Sequence, residues 1–118
     1  MALIINETVT LTDSGTDINQ FLVIAHDFNG SIRNVGGSIK IKPQLGCYVS
    51  TEKFNESFKN KVKIEGWPEN FEIELLYNYI PENYNLMYWF DVQLKEALLK
   101  SYPNWLHENI VITTEPVV

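Results

Sequence analysis

Residues 71–80 read Phe71-Glu72-Ile73-Glu74-Leu75-Leu76-Tyr77-Asn78-Tyr79-Ile80. Alternation places Phe71, Ile73, Leu75, Tyr77 and Tyr79 on one side, and Glu72, Glu74, Leu76, Asn78 and Ile80 on the other. That period of two belongs to a strand with one buried face, and strong β-formers dominate it. The second side begins polar and turns apolar, so its far half is expected beneath a helix or a partner. Pro81-Glu82-Asn83 then changes the period. Met87, Phe90, Leu94, Ala97 and Leu98 recur at spacings of three and four, an amphipathic helix that ends near Tyr102, before Pro103. Gln93, Glu96 and Lys100 lie on its other face. Asp91 is too far inside this repeat to cap it; the alternative is a shorter helix capped by Asp91, with Tyr88-Trp89-Phe90 as strand. The fold class that results is α+β: mainly an antiparallel β sheet or sandwich, with one C-terminal amphipathic helix over the sheet.

Upstream, the chain reads as a series of short strands. Residues 3–12 place Val9 and Leu11 on one side and Thr8, Thr10 and Thr12 on the other. Leu3 and Ile5 keep the phase of Val9 and Leu11, but Glu7 interrupts it, so either the strand starts later or a bulge shifts the register. Asp13-Ser14-Gly15 ends it in a turn. Residues 21–26 form a second, mostly apolar strand, with Phe21, Val23 and Ala25 on one face. Turns are expected at Asn29-Gly30 and Gly36-Gly37. Ser38-Ile39-Lys40-Ile41-Lys42 alternates cleanly up to Pro43, and its lysine side is wet, which guards a sheet edge. Residues 45–50 continue as strand. Residues 51–61 are either a loop or a short helix in which Thr51 caps and Phe54 and Phe58 pack on the core. A short strand over 62–66 and a final one over 110–114, with 115–118 as tail, complete the reading.

A chain of 118 residues with 45% hydrophobic and 20% charged residues is expected to form a single domain over 1–118, with one core that needs neither metal nor disulfide. The formal net charge is −6. Residues 1–60 hold six acids and five bases, whereas residues 61–118 hold nine acids and four bases. An acidic surface repels phosphate backbones, so no nucleic-acid partner is expected. The opening Met1-Ala2-Leu3-Ile4-Ile5-Asn6-Glu7 has no basic segment followed by an apolar one, so synthesis in a cytoplasm without a signal peptide is expected. No stretch is long and apolar enough for a membrane span.

No residue set announces chemistry, and the chain is expected to be non-enzymatic and without a cofactor or metal. Gly-rich phosphate loops, Cys-x-x-Cys and His-Glu-x-x-His are missing from the sequence. Cys47 is the only cysteine and falls in an alternating stretch, which predicts a buried thiol. His26 stands beside Asp27, but strand neighbours point to opposite faces; His107 is expected at the surface or at a helix end. Asp13, Asp17 and Asp27 lack the spacing of a calcium loop. Glu72 and Glu74 share a strand face, where a glycosidase needs carboxylates across a cleft.

Aromatic residues remain. Ten of the fifteen Phe, Tyr and Trp residues lie between Trp67 and Trp105, the region that also holds the acidic excess. Phe71, Tyr77 and Phe90 are expected in the core. Trp67, Trp89 and Trp105 are the candidate contacts, either a platform for a glycan or peptide or the anchors of a protein interface.

Three stretches taken together carry a resemblance: residues 3–11, Leu3-Ile4-Ile5-Asn6-Glu7-Thr8-Val9-Thr10-Leu11; the strand Phe21-Leu22-Val23-Ile24; and the late acidic–aromatic block closing with Asp91-Val92-Gln93-Leu94-Lys95-Glu96-Ala97-Leu98-Leu99-Lys100. In outline the chain resembles small structural proteins, tail- or baseplate-associated, of tailed bacteriophages and prophages. The resemblance implies a virion subunit that contacts itself or other virion proteins, and it transfers no catalytic or metal residue.

Overall fold

The computed structural model describes residues 2–27, 33–35, 38–68, 72–76 and 85–116. Nine strands and two α-helices are found among them: β1 (Ala2–Ile5), β2 (Val9–Thr10), β3 (Asp17–Ile18), β4 (Phe21–Asp27), β5 (Arg33–Val35), β6 (Ser38–Ile41), β7 (Gln44–Tyr48), α1 (Thr51–Glu56), β8 (Ile73–Leu76), α2 (Leu86–Ser101) and β9 (Ile110–Ile112). Single 3-10 turns occur at Phe58–Asn60 and His107–Asn109. The strands form a four-stranded sheet in the order β7-β4-β1-β9, a three-stranded sheet β5-β6-β8 and the β2-β3 ribbon. All pairings between these strands are antiparallel, as the α+β reading expects.

α2 joins the two larger sheets, lying against β8 of one and β1 and β9 of the other. Its buried Phe90, Leu94 and Leu98 form one core with Leu3, Ile5, Phe21, Val23, Ile73 and Ile110. The long helix is the correct alternative, because Asn85 supplies the cap: its side chain accepts from the Met87 N–H at 2.9 Å. Asp91 is instead buried, and its Oδ2 accepts a 2.6 Å hydrogen bond from Thr114 Oγ1. Burial raises the Asp91 pKa, while the Thr114 bond partly offsets that shift.

The expected strand over 3–12 is two strands in different sheets. The chain breaks at Glu7, whose Oε2 accepts from the Leu106 N–H (2.9 Å) and Asn109 Nδ2 (3.2 Å), while Asn6 N–H donates to the Asn109 carbonyl (2.8 Å). An acidic side chain that breaks the alternation is thus the pin that ties the N-terminal strands to the turn before β9. β2 and β3 then close through the Asp13-Ser14-Gly15 turn, where Gly15 takes φ +67°.

Residues 51–61 need correction. The cap is Ser50, not Thr51: its Oγ accepts from the Lys53 N–H. Phe54 packs inward, with its ring edge-on to Tyr48 at 5.0 Å. Phe58 does not, because α1 stops at Glu56 and the 3-10 turn points the Phe58 ring outward, 60% exposed. Residues 62–66 make no regular strand. Val62 and Ile64 form single bridges, to Cys47 on one side and Leu11 on the other. The last strand is also shorter than expected and stops at Ile112.

At the start of β8, Ile73 is buried while Glu72, just before the strand, and Glu74 are exposed, the predicted two-sidedness; the side chains of Leu75 and Leu76 lie outside the described residues. Phe71, residues 77–80, the period change at Pro81–Asn83, and the turns at Asn29-Gly30 and Gly36-Gly37 lie outside the described residues. None of the described helices is long and apolar enough to cross a membrane.

Candidate interaction surfaces

Two of the three tryptophans meet, and the third does not. Gly66, at φ +74°, turns the chain so that the Trp67 N–H reaches the Ile64 carbonyl. At the end of α2 the Tyr102 N–H bonds back to the Leu98 carbonyl, and the Trp105 N–H bonds to the Tyr102 carbonyl across Pro103. This tight turn stacks the Tyr102 and Trp105 rings at 3.9 Å and 6°. Trp67 and Trp105 both meet the buried Phe21 in edge-to-face contacts, at 6.0 and 6.2 Å, and Trp67 lies 6.1 Å from Tyr102. Tyr102 Oη donates to the Gly66 carbonyl at 3.2 Å, and burial is the main reason its phenol is pushed up to about 12. The rings of Trp67, Tyr102 and Trp105 therefore form a half-buried lid over Phe21. Trp89 sits in the first turn of α2, on the order of 20 Å from Tyr102 along the helix axis at 1.5 Å per residue, with its ring 6.3 Å from Tyr88. It belongs to a different part of the surface. Tyr102, which joins the other two tryptophans, was legible only as the last aromatic before a Pro-x-Trp turn.

Clefts open on either side of the lid. One of about 540 Å³ is lined by Thr12, Cys47, Lys61, Lys63 and Trp67, among others. The other, about 280 Å³, is lined by Thr8, Val9, Thr10, Glu65, Tyr102 and Trp105. Neither presents an activated nucleophile among these groups. Burial pushes the Cys47 thiol up to about 12, and a thiol held protonated attacks poorly. His107 is exposed, its Nε2 3.9 Å from Glu96 Oε1. His26 is the extra residue where the β4–β7 register slips between Ala25 and Asp27, and the side chains of both His26 and Asp27 lie outside the described residues. Glu72 lies 3.8 Å from Lys40 Nζ on the exposed side of β8. Asp17 accepts from Thr10 Oγ1. Among the described residues no three His, Cys, Asp or Glu side chains gather as metal ligands.

The four-stranded sheet offers a second surface, one that the tryptophan reading missed. Its inner face, Leu3, Ile5, Phe21, Val23, Cys47 and Ile110, belongs to the core under α2. The outer face is apolar too. The cross-strand register lines up Tyr48, Leu22, Ile4 and Val111 in one row across all four strands, with Ile24 in the next. α1 and the 3-10 turn cover the β7 end of that row. Phe54 packs on Tyr48, and Tyr48 Oη donates to the Phe58 carbonyl at 2.8 Å. Toward β9 the exposure rises: Ile4 and Ile24 are half-buried and Val111 is 43% exposed. The sequence signal was present in Ala2-Leu3-Ile4-Ile5, Phe21-Leu22-Val23-Ile24-Ala25 and Ile110-Val111-Ile112, which are apolar at every position where a strand with one wet face alternates.

The two edges of this sheet are treated differently. Outside β7 runs residues 61–65, with the Val62 N–H bonded to the Cys47 carbonyl at 2.8 Å. The far side of that strap is tied to the β2 region through Thr12 N–H to Lys63 carbonyl and Glu65 N–H to Thr10 carbonyl. β9 has no such strap among the described residues and ends the sheet. Compared with known proteins, no family model, no curated protein and no solved structure matches the chain.

Proposed function

We propose that the protein is a non-enzymatic structural subunit that assembles through the apolar surface of its four-stranded sheet. The setting in which we place it is the one its resemblance implies, a phage virion, tail or baseplate, with itself or other virion proteins as partners. The observation that carries the reading is the outer row Tyr48–Leu22–Ile4–Val111, apolar throughout, buried at Tyr48 against α1 and 43% exposed at Val111. Strands apolar on both faces belong between two layers, and here Val111, at the β9 end, stays 43% exposed. A net charge of −6 helps to keep free subunits soluble until that surface is covered. Light scattering over a wide concentration range, with pull-down against virion proteins, tests this: a discrete assembly or a retained partner is expected. A strict monomer that retains no virion protein ends the proposal.

A second reading, a glycan- or peptide-binding module, draws on the 280 Å³ cleft where Thr8, Thr10 and Glu65 stand beside Trp105. It is the weaker of the two, because Tyr102 and Trp105 already stack on one another. Titration of tryptophan fluorescence with a glycan panel separates them. Saturable quenching lost in Trp105→Ala supports the module.

A further inference from the structure

Resting on the assembly reading above, we infer that the occupant of the β9 edge is a second copy of this chain, paired antiparallel about Val111 on a two-fold axis. The hydrogen bonds already made by β9 decide which of its backbone groups are left. Asn6 N–H bonds to the Asn109 carbonyl and Thr113 N–H to the Ala2 carbonyl, so positions 109, 111 and 113 turn their backbone toward β1. In an antiparallel ladder the intervening residues turn theirs away. Ile110 and Ile112 therefore face the open side, with the Ile110 N–H taken up by the His107 carbonyl within the 3-10 turn.

What remains is the Ile110 carbonyl and the Ile112 N–H and carbonyl. A two-fold through Val111 sets Ile110 of one copy opposite Ile112 of its partner. Two symmetric bonds follow, each from an Ile112 N–H to an Ile110 carbonyl, and the N–H already in use is not called on. Val111 then meets Val111 of its partner in a non-hydrogen-bonded pair, where Cα atoms approach to about 4.5 Å. The apolar outer row continues across the axis, and the two sheets become one of eight strands.

Three further features fit a second copy. β9 carries no charged residue and no proline, so the devices that keep edges apart are missing, whereas β7 is strapped. An uncharged strand pairs with itself without placing like charges opposite one another. Thr114 Oγ1 bonds to Asp91 Oδ2, and the Pro116 carbonyl accepts from the Asn85 N–H, so the chain beyond β9 is drawn toward α2. The overall charge of −6 on each copy also gives the association a sign: self-pairing strengthens as salt is added, whereas capture of a basic peptide weakens.

Disulfide trapping in the full chain tests the register. Val111→Cys, oxidised by dissolved oxygen with a copper catalyst, is expected to give a covalent dimer. Thr113→Cys is expected to give none, since its counterpart stands ~13 Å away along the ladder. Cys47 does not interfere, because it is buried. Val111→Lys is expected to weaken the dimer by about tenfold or more, and Leu106→Lys, exposed and off the edge, to leave the mass unchanged. Trapping at position 113, or a dimer indifferent to Val111→Lys, overturns edge pairing and leaves assembly through another face standing. A monomer at every concentration, with no trapping at 111, overturns self-pairing, and the assembly reading then rests on the pull-down alone.

Discussion

The two faces of the β7-β4-β1-β9 sheet are built from neighbouring residues of the same strands, yet they have different fates. On the inner face Leu3, Phe21, Val23 and Ile110 vanish beneath α2, a helix of 16 residues capped at both ends. On the outer face Tyr48 is buried against Phe54 of a six-residue helix, Leu22 is buried beside it, and the row then runs into solvent at Val111. The difference lies in what packs on each face: α2 reaches β1 and β9 on the inner face, whereas α1 is seen against β7. The face buried under the long helix supplies stability; the one that ends exposed at Val111 is the surface that the assembly proposal uses.

Substitutions can break or sharpen this contrast. The largest effect is expected for Leu98→Ala, which empties a fully buried site under α2. It is expected to cost about 2–5 kcal/mol in a denaturant titration, and a cost below 1 kcal/mol means that the inner face is not close-packed. Phe54→Ala removes the only ring shown packed on Tyr48 from α1. Since Phe54 is half-buried, about 1–3 kcal/mol is expected, less than at the inner face. Ser50→Ala removes the α1 cap and is expected to cost about 1 kcal/mol. It should also loosen Phe54, seen as faster amide exchange over residues 51–56. Phe58→Ser alters only the uncovered surface and is expected to change stability by no more than about 0.5 kcal/mol.

Asp91 tests the inner side by pH instead of by volume. Its folded pKa stands above the ordinary 3.8, because burial disfavours the carboxylate. The folded state then holds the proton more tightly than the unfolded chain, so stability falls as pH rises between those two values. Asp91→Asn keeps an oxygen for Thr114 Oγ1 and removes the ionisation. Wild type should lose stability relative to this variant as pH is raised from 3.8 through the folded pKa. Parallel curves mean that Asp91 ionises as it does in water. Cys47 offers a second probe: with its thiol pushed up to about 12, alkylation at pH 8 should proceed only as fast as the sheet opens.

Much of the fold could be read from local pattern. The helix to Tyr102, the alternation at Ile73–Glu74, the turn at Gly15 and the burial of Cys47 each follow from periodicity or from one residue's conformational preference. Where the reading failed, a distant partner decided. Glu7 breaks a strand because Leu106 and Asn109, far along the chain, donate to its carboxylate. Phe58 keeps helical spacing from Phe54, but Ser57 ends α1 and starts a 3-10 turn, its N–H bonding to the Lys53 carbonyl and its Oγ accepting from Lys59. The tryptophans were singled out by composition, which carries no position. Trp67 and Trp105 meet over Phe21, but Trp89 is stranded a helix away.

The sequence by itself determined the class of this fold, the span of its long helix, the location of most strands and the apolar character of β1, β4 and β9. These are properties of neighbours a few residues apart, governed by the periods 2 and 3.6. The tertiary structure alone decided which apolar face found a cover, which sheet edge was strapped and which tryptophans came together. Those outcomes depend on long-range pairings whose register is set by the packed whole, and no window of sequence contains both partners.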